Sequence, residues 1–112
     1  MSDEYARLAA EISNWPSKAD LVRMFAAEGY AVYEGRYSVR LKDFDHFAFQ
    51  ELGGDLGPGC ITADHPSTEV LVATCERVSQ TLGKNGIRHR FEVYSGREDL
   101  AAYLHHDWPK DW

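Results

Sequence analysis

The stretch Tyr30-Ala-Val-Tyr-Glu-Gly-Arg-Tyr-Ser-Val-Arg-Leu-Lys42 decides the fold class of this chain. It alternates in the period-2 manner of strands that cover one face and expose the other. Glu34-Gly35 reads as a two-residue hairpin loop, with glycine at the second turn position. Val32 then opposes Tyr37 and Tyr30 opposes Val39 on one face, which Leu41 continues. Tyr33 opposes Arg36 and Ala31 opposes Ser38 on the other face, which Arg40 and Lys42 extend. Turn chemistry and alternation agree on one register.

Downstream, Phe44 to Leu52 predicts a third strand with Phe47, Phe49 and Glu51 on one side, so residues 30–52 form an antiparallel meander. A glycine-rich loop follows, then a short strand over Cys60-Ile-Thr-Ala63. Asp64 or Ser67 caps a long helix over 66–82, whose stripe is Leu71, Cys75, Val78 and Leu82. Gly83-Lys-Asn-Gly86 ends it. Ile87 to Tyr94 alternates again, with Ile87, His89, Phe91 and Val93 on the apolar side and Arg88, Arg90, Glu92 and Tyr94 opposite. Ser95-Gly-Arg-Glu98 is a capping box, and Leu100, Tyr103 and Leu104 give a last amphipathic helix.

Upstream, Leu21, Val22, Phe25 and Ala26 form a helical stripe that starts at Ser17-Lys-Ala-Asp20 and stops at Gly29. Tyr5, Leu8, Ala9 and Ile12 have helical spacing and predict a further helix over 3–14. The order α-α-β-β-β-(β)-α-β-α predicts an α+β two-layer sandwich. It is a mainly antiparallel sheet of four to five strands with helices on one face, in a single domain over residues 1–112. The strands at 60–63 and 87–94 are expected to form one right-handed crossover around the long helix.

Eighteen acids against twelve bases give a net charge of −6. The charge is local: residues 43–76 hold seven acids and no Lys or Arg, and the rest of the chain sums to +1. A one-signed segment with aromatic neighbours suits docking of a basic protein partner. The leading expectation is therefore a non-enzymatic binding or regulatory module that uses the 43–64 region. Phe44, Phe47 and Leu56 would serve as anchors, and Asp43, Asp45, Asp55 and Asp64 as the charged rim. In size and charge, though in no motif, the chain resembles small acidic immunity and inhibitor proteins.

Two other function classes compete. An arginine-bearing sheet face with Tyr33, Arg36, Arg40, Arg88 and Arg90 would bind an anion or nucleic acid if its two strands lie side by side. A small metal-dependent or cysteine-based enzyme would draw on Cys60, His65, His105, His106 and Asp107. No ligand spacing of a structural zinc site, P-loop or dinucleotide fingerprint is present, so no cofactor is expected. The opening Met-Ser-Asp-Glu-Tyr lacks a basic, apolar leader, and no apolar run is long enough for a membrane. Cys60 and Cys75 are expected as free thiols in a cytoplasmic protein.

Overall fold

The computed structural model describes residues 6–13, 15–36, 38–44, 47–50, 60–96 and 99–107. They form strand β1 (Ala6–Ile12), helix α1 (Lys18–Ala27), strands β2 (Val32–Glu34), β3 (Ser38–Leu41), β4 (Phe47–Gln50) and β5 (Cys60–His65), helix α2 (Thr68–Lys84), and strands β6 (His89–Ser95) and β7 (Asp99–His106). One sheet runs in the order β2-β3-β4-β5-β1-β6-β7, and every neighbouring pair is antiparallel.

The helices behave as their ends dictate. Ser17 Oγ accepts from the backbone N–H of Asp20, and Ser67 Oγ from that of Val70. At the other end of α1, Gly29 N–H donates to Ala26 O and Tyr30 N–H to Phe25 O. At the end of α2, Gly86 N–H donates to Gly83 O and Ile87 N–H to Leu82 O. Both are Schellman motifs, with Gly29 and Gly86 at φ 93° and 75°, where a side chain is disfavoured.

Two expected helices are strands instead, so the described residues form seven strands rather than four to five, and two helices rather than four. Residues 6–12 satisfy helical spacing through Leu8, Ala9 and Ile12, but Ala6, Leu8 and Ile12 also alternate. Burial selects the second period, because β1 lies between β5 and β6 with Leu8 opposite Val93 and Ala10 opposite Phe91. Residues 99–106 likewise pair with β6 across a connection of three residues, with Leu104 opposite Phe91 and His106 opposite His89. Ser95 is thus the end of a strand, and its Oγ accepts from Thr68 Oγ1 at 3.1 Å. The crossover of β5, α2 and β6 joins parallel strands that are not adjacent, since β1 fills the gap and is antiparallel to both.

The hairpin at 30–42 forms with a longer connection. Glu34 pairs with Val39, Tyr33 with Arg40 and Val32 with Leu41, so each residue meets a partner four positions beyond the expected one. An even shift leaves every side chain on its expected face. Gly35 N–H donates to Ser38 O at 2.7 Å, and a Cβ on Gly35 would meet Ser38 Oγ at 3.0 Å.

One core fills the space between the sheet and both helices. Phe25 of α1 packs on Phe49 of β4 and on Tyr30, with ring centroids 5.5 and 5.6 Å apart, and Trp15 meets Phe49 edge-on. Leu71, Cys75, Val78 and Leu82 of α2 join Leu8, Ile12, Phe91 and Val93 in the same cluster. These inward residues are register partners across the sheet, such as Val39 with Phe49 and Phe49 with Ile61, so the helices cover one face. Among the described residues no helix is long and apolar enough to cross a membrane.

Candidate functional site

At the end of the sheet nearest the start of α2, Asp43, Phe44, Asp64, His65, Val70, Leu71 and Thr74 line a recess of about 220 Å³. Asp43 sits in the turn after β3, where its carboxylate accepts from the backbone N–H of Ala31 at 3.1 Å. Asp64 and His65 end β5, and Ser67 N–H donates to His65 Nδ1 at 2.8 Å. Leu71 and Thr74 are buried residues of α2. Val70 stands at the rim, 46% exposed, beside the exposed Glu69. Phe44 is half-buried, with its ring 5.7 Å from that of Tyr30 and 6.2 Å from that of Phe47. The Arg77 guanidinium covers the Tyr30 and Phe44 rings at 5.2 and 5.6 Å. The recess is therefore lined by apolar residues together with two acidic residues and a histidine.

Of the expected partner-binding residues, Asp43, Phe44 and Asp64 come together here. Phe47 is only 3% exposed and belongs to the core, so it offers no surface anchor. Asp45, Asp55 and Leu56 lie outside the described residues.

The two groups of arginines do not share a platform. Strands β4, β5 and β1 stand between β3, which carries Arg40, and β6, which carries Arg90. Four strand spacings separate the two by about 19 Å. Tyr33 does pair across from Arg40, and Arg36 lies in the β2–β3 connection. Arg90 is committed to Glu11 at 2.5 Å and lies 3.6 Å from Glu92. Arg88 donates to Asp107 O at 3.1 Å and lies 3.5 Å from its carboxylate.

The candidate metal ligands are dispersed. His65 neighbours Ala6 at one end of β1, while His106 pairs with His89, the neighbour of Ile12 at the other end. The length of β1 puts these ends about 20 Å apart. His105 and His106 are consecutive on a strand and point to opposite faces. Among the described residues no three His, Cys, Asp or Glu gather as a metal would require.

Cys60 and His65 are five apart on β5, an odd offset that turns them to opposite faces. Cys60 Sγ lies 4.0 Å from Gln50 Oε1. Burial pushes the Cys75 thiol up to about 12, so it remains protonated and unreactive. Both cysteines are free.

A second recess escaped the sequence reading. Arg40, Lys42, Gln50 and Thr62 surround Ala48 on the face away from the helices, in a space of about 510 Å³ whose lining also includes Leu41, Phe44 and Phe47. Only Arg40 and Lys42, two apart on one strand face, were visible in the sequence as a pair. Gln50 and Thr62 join them through the β3–β4–β5 register. Comparison with known protein families, with curated proteins and with solved structures finds no match to this chain.

Proposed function

We propose that this protein is a non-catalytic binding module that takes a basic side chain of a protein partner into the recess between Asp43 and Asp64. One observation carries the reading: two acidic residues 21 positions apart in sequence line the same recess, beside Phe44, Val70 and Leu71. A lysine or arginine fits such a place in both of its parts. Its hydrocarbon stem would cover Phe44, Val70 and Leu71, and its charged head would lie between the carboxylates. Glu69, exposed in the first turn of α2, adds to the negative field that steers a basic partner inward. A cytoplasmic setting suits two cysteines that are both free thiols.

The test is a titration of isotope-labelled protein with a tetralysine peptide, followed by amide chemical shifts. Saturable shifts centred on Asp43, Asp64, Val70 and Thr74 are expected, weakening with added salt and lost in the Asp43→Asn/Asp64→Asn double variant. Shifts scattered over the whole surface, or unchanged in the double variant, would overturn the reading.

A further inference from the structure

Ala48 is only 5% exposed, although its strand partners Arg40 and Thr62 place it on the face away from the helices. A small side chain between two longer ones leaves a hollow in the row, and Gln50 lines the same hollow from two positions along β4. The space of about 510 Å³ is large enough for a small organic molecule.

The hollow carries two cations, Arg40 and Lys42. Four other cations have carboxylate partners, Arg23 with Asp20, Lys84 with Glu28, Arg88 with Asp107 and Arg90 with Glu11, while Lys18 donates to the carbonyl oxygens of Gly35 and Arg36 and Arg77 lies over aromatic rings. Arg40 and Lys42 have no ionic partner among the described residues. Unlike Lys18 and Arg77, which are engaged by backbone oxygens and rings, these two cations stand together beside a recess. They lie two residues apart in the chain, close enough to converge on one doubly charged group.

From this juxtaposition we propose that the Arg40–Lys42 recess binds a phosphate monoester that carries a small aromatic or apolar group. Arg40 supplies a planar fork suited to phosphate oxygens, and Lys42 a mobile point charge. Gln50 and Thr62 offer neutral hydrogen-bonding groups, and the half-buried Phe44 together with Ala48 lines the space for the ester's apolar part, whereas Leu41 and Phe47 turn their side chains into the core behind it. The site does not depend on the Asp43–Asp64 recess, although Phe44 lines both.

Calorimetric titration with phenyl phosphate, inorganic phosphate and phenol tests this directly. Phenyl phosphate is expected to bind at least about tenfold tighter than either inorganic phosphate or phenol, because only the ester engages both the cations and the apolar lining. The Arg40→Gln/Lys42→Gln double variant should weaken phenyl phosphate by about tenfold or more, since each charged hydrogen bond is worth about 1.5–3 kcal/mol. Both positions are exposed, so this variant is expected to keep the fold, which circular dichroism checks. Equal affinity for ester and inorganic phosphate would mark simple counter-ion attraction and overturn the proposal. So would the absence of saturable binding, or an unchanged affinity in the double variant.

Discussion

Ser79 Oγ lies 2.7 Å from His89 Nε2, and this contact joins the middle of α2 to the first residue of β6. His89 Nδ1 lies 2.8 Å from the carbonyl oxygen of Ile87, an atom that can only accept. The imidazole thus carries its proton on Nδ1, and Nε2 accepts from the Ser79 hydroxyl. His89 is wholly buried, with the Phe91 ring 5.0 Å away and the His106 ring stacked at 6.2 Å. The alternation of β6 already predicts a core histidine here. Its second hydrogen bond, to a residue ten positions upstream, does not follow from alternation.

Acid should destabilise the fold through His89. Burial holds its pKa below the ordinary value of 6.5, and the charges of His106 and His105 lower it further, against the opposing bond to Ile87. Between the lowered and ordinary values the unfolded chain binds a proton that the native state refuses. Stability is therefore complete above the ordinary histidine pKa and is lost as pH falls below it, by up to about 1.4 kcal/mol per pH unit. Urea unfolding across mildly acidic pH measures the slope, and an imidazole proton titration assigns it. A His89 resonance that titrates like an exposed histidine would refute the expectation.

Removing the serine hydroxyl should be costly. Ser79→Ala leaves Nε2 of a buried imidazole without a donor, a loss of about 1–3 kcal/mol. Urea unfolding near neutral pH reads the loss, and the same substitution at the exposed Ser17 serves as a contrast that reports a helix cap alone. A Ser79→Ala variant as stable as the parent would show that the contact contributes nothing.

The helix ends give a purely backbone prediction. Nothing lies within 4 Å of a Cβ built on Gly29 or Gly86, so substitution meets open space and acts only through the positive φ. Gly29→Ala or Gly86→Ala should each cost about 1 kcal/mol or slightly more, and Asn at either position less. Thermal unfolding of the four variants checks both magnitude and order. Equal losses for Ala and Asn would point to a cause other than the left-handed backbone.

The candidate site was legible in part. Asp43, Phe44 and Asp64 stand out because the acid-only run is visible in the chain, but Phe47 belongs to the same run and is buried. Alternation gives a residue's parity on a strand without saying which side of the sheet the helices cover. The two arginine groups show a related limit. Each lies on the expected polar face, yet whether they meet depends on strand order, and three strands stand between them. His65, Val70 and Thr74 become neighbours of Asp43 only because β5 runs into α2 beside the turn after β3.

What the sequence determined by itself is chemistry that acts over a few residues. Ser17 and Ser67 start helices because a side-chain oxygen satisfies a nearby N–H, and Gly29 and Gly86 stop them because glycine tolerates a positive φ. Val32, Val39 and Leu41 share a face through parity, which survived a change of hairpin register. Tertiary structure alone decided the state of residues 6–12 and 99–106. Their apolar positions satisfy both a 3.6-residue and a two-residue period, and local propensity is too weak to choose between them. Pairing with β6 makes the choice, because it buries Leu8 and Ile12 and partly buries Ala102 and Leu104, while the backbone hydrogen bonds of three strands close together.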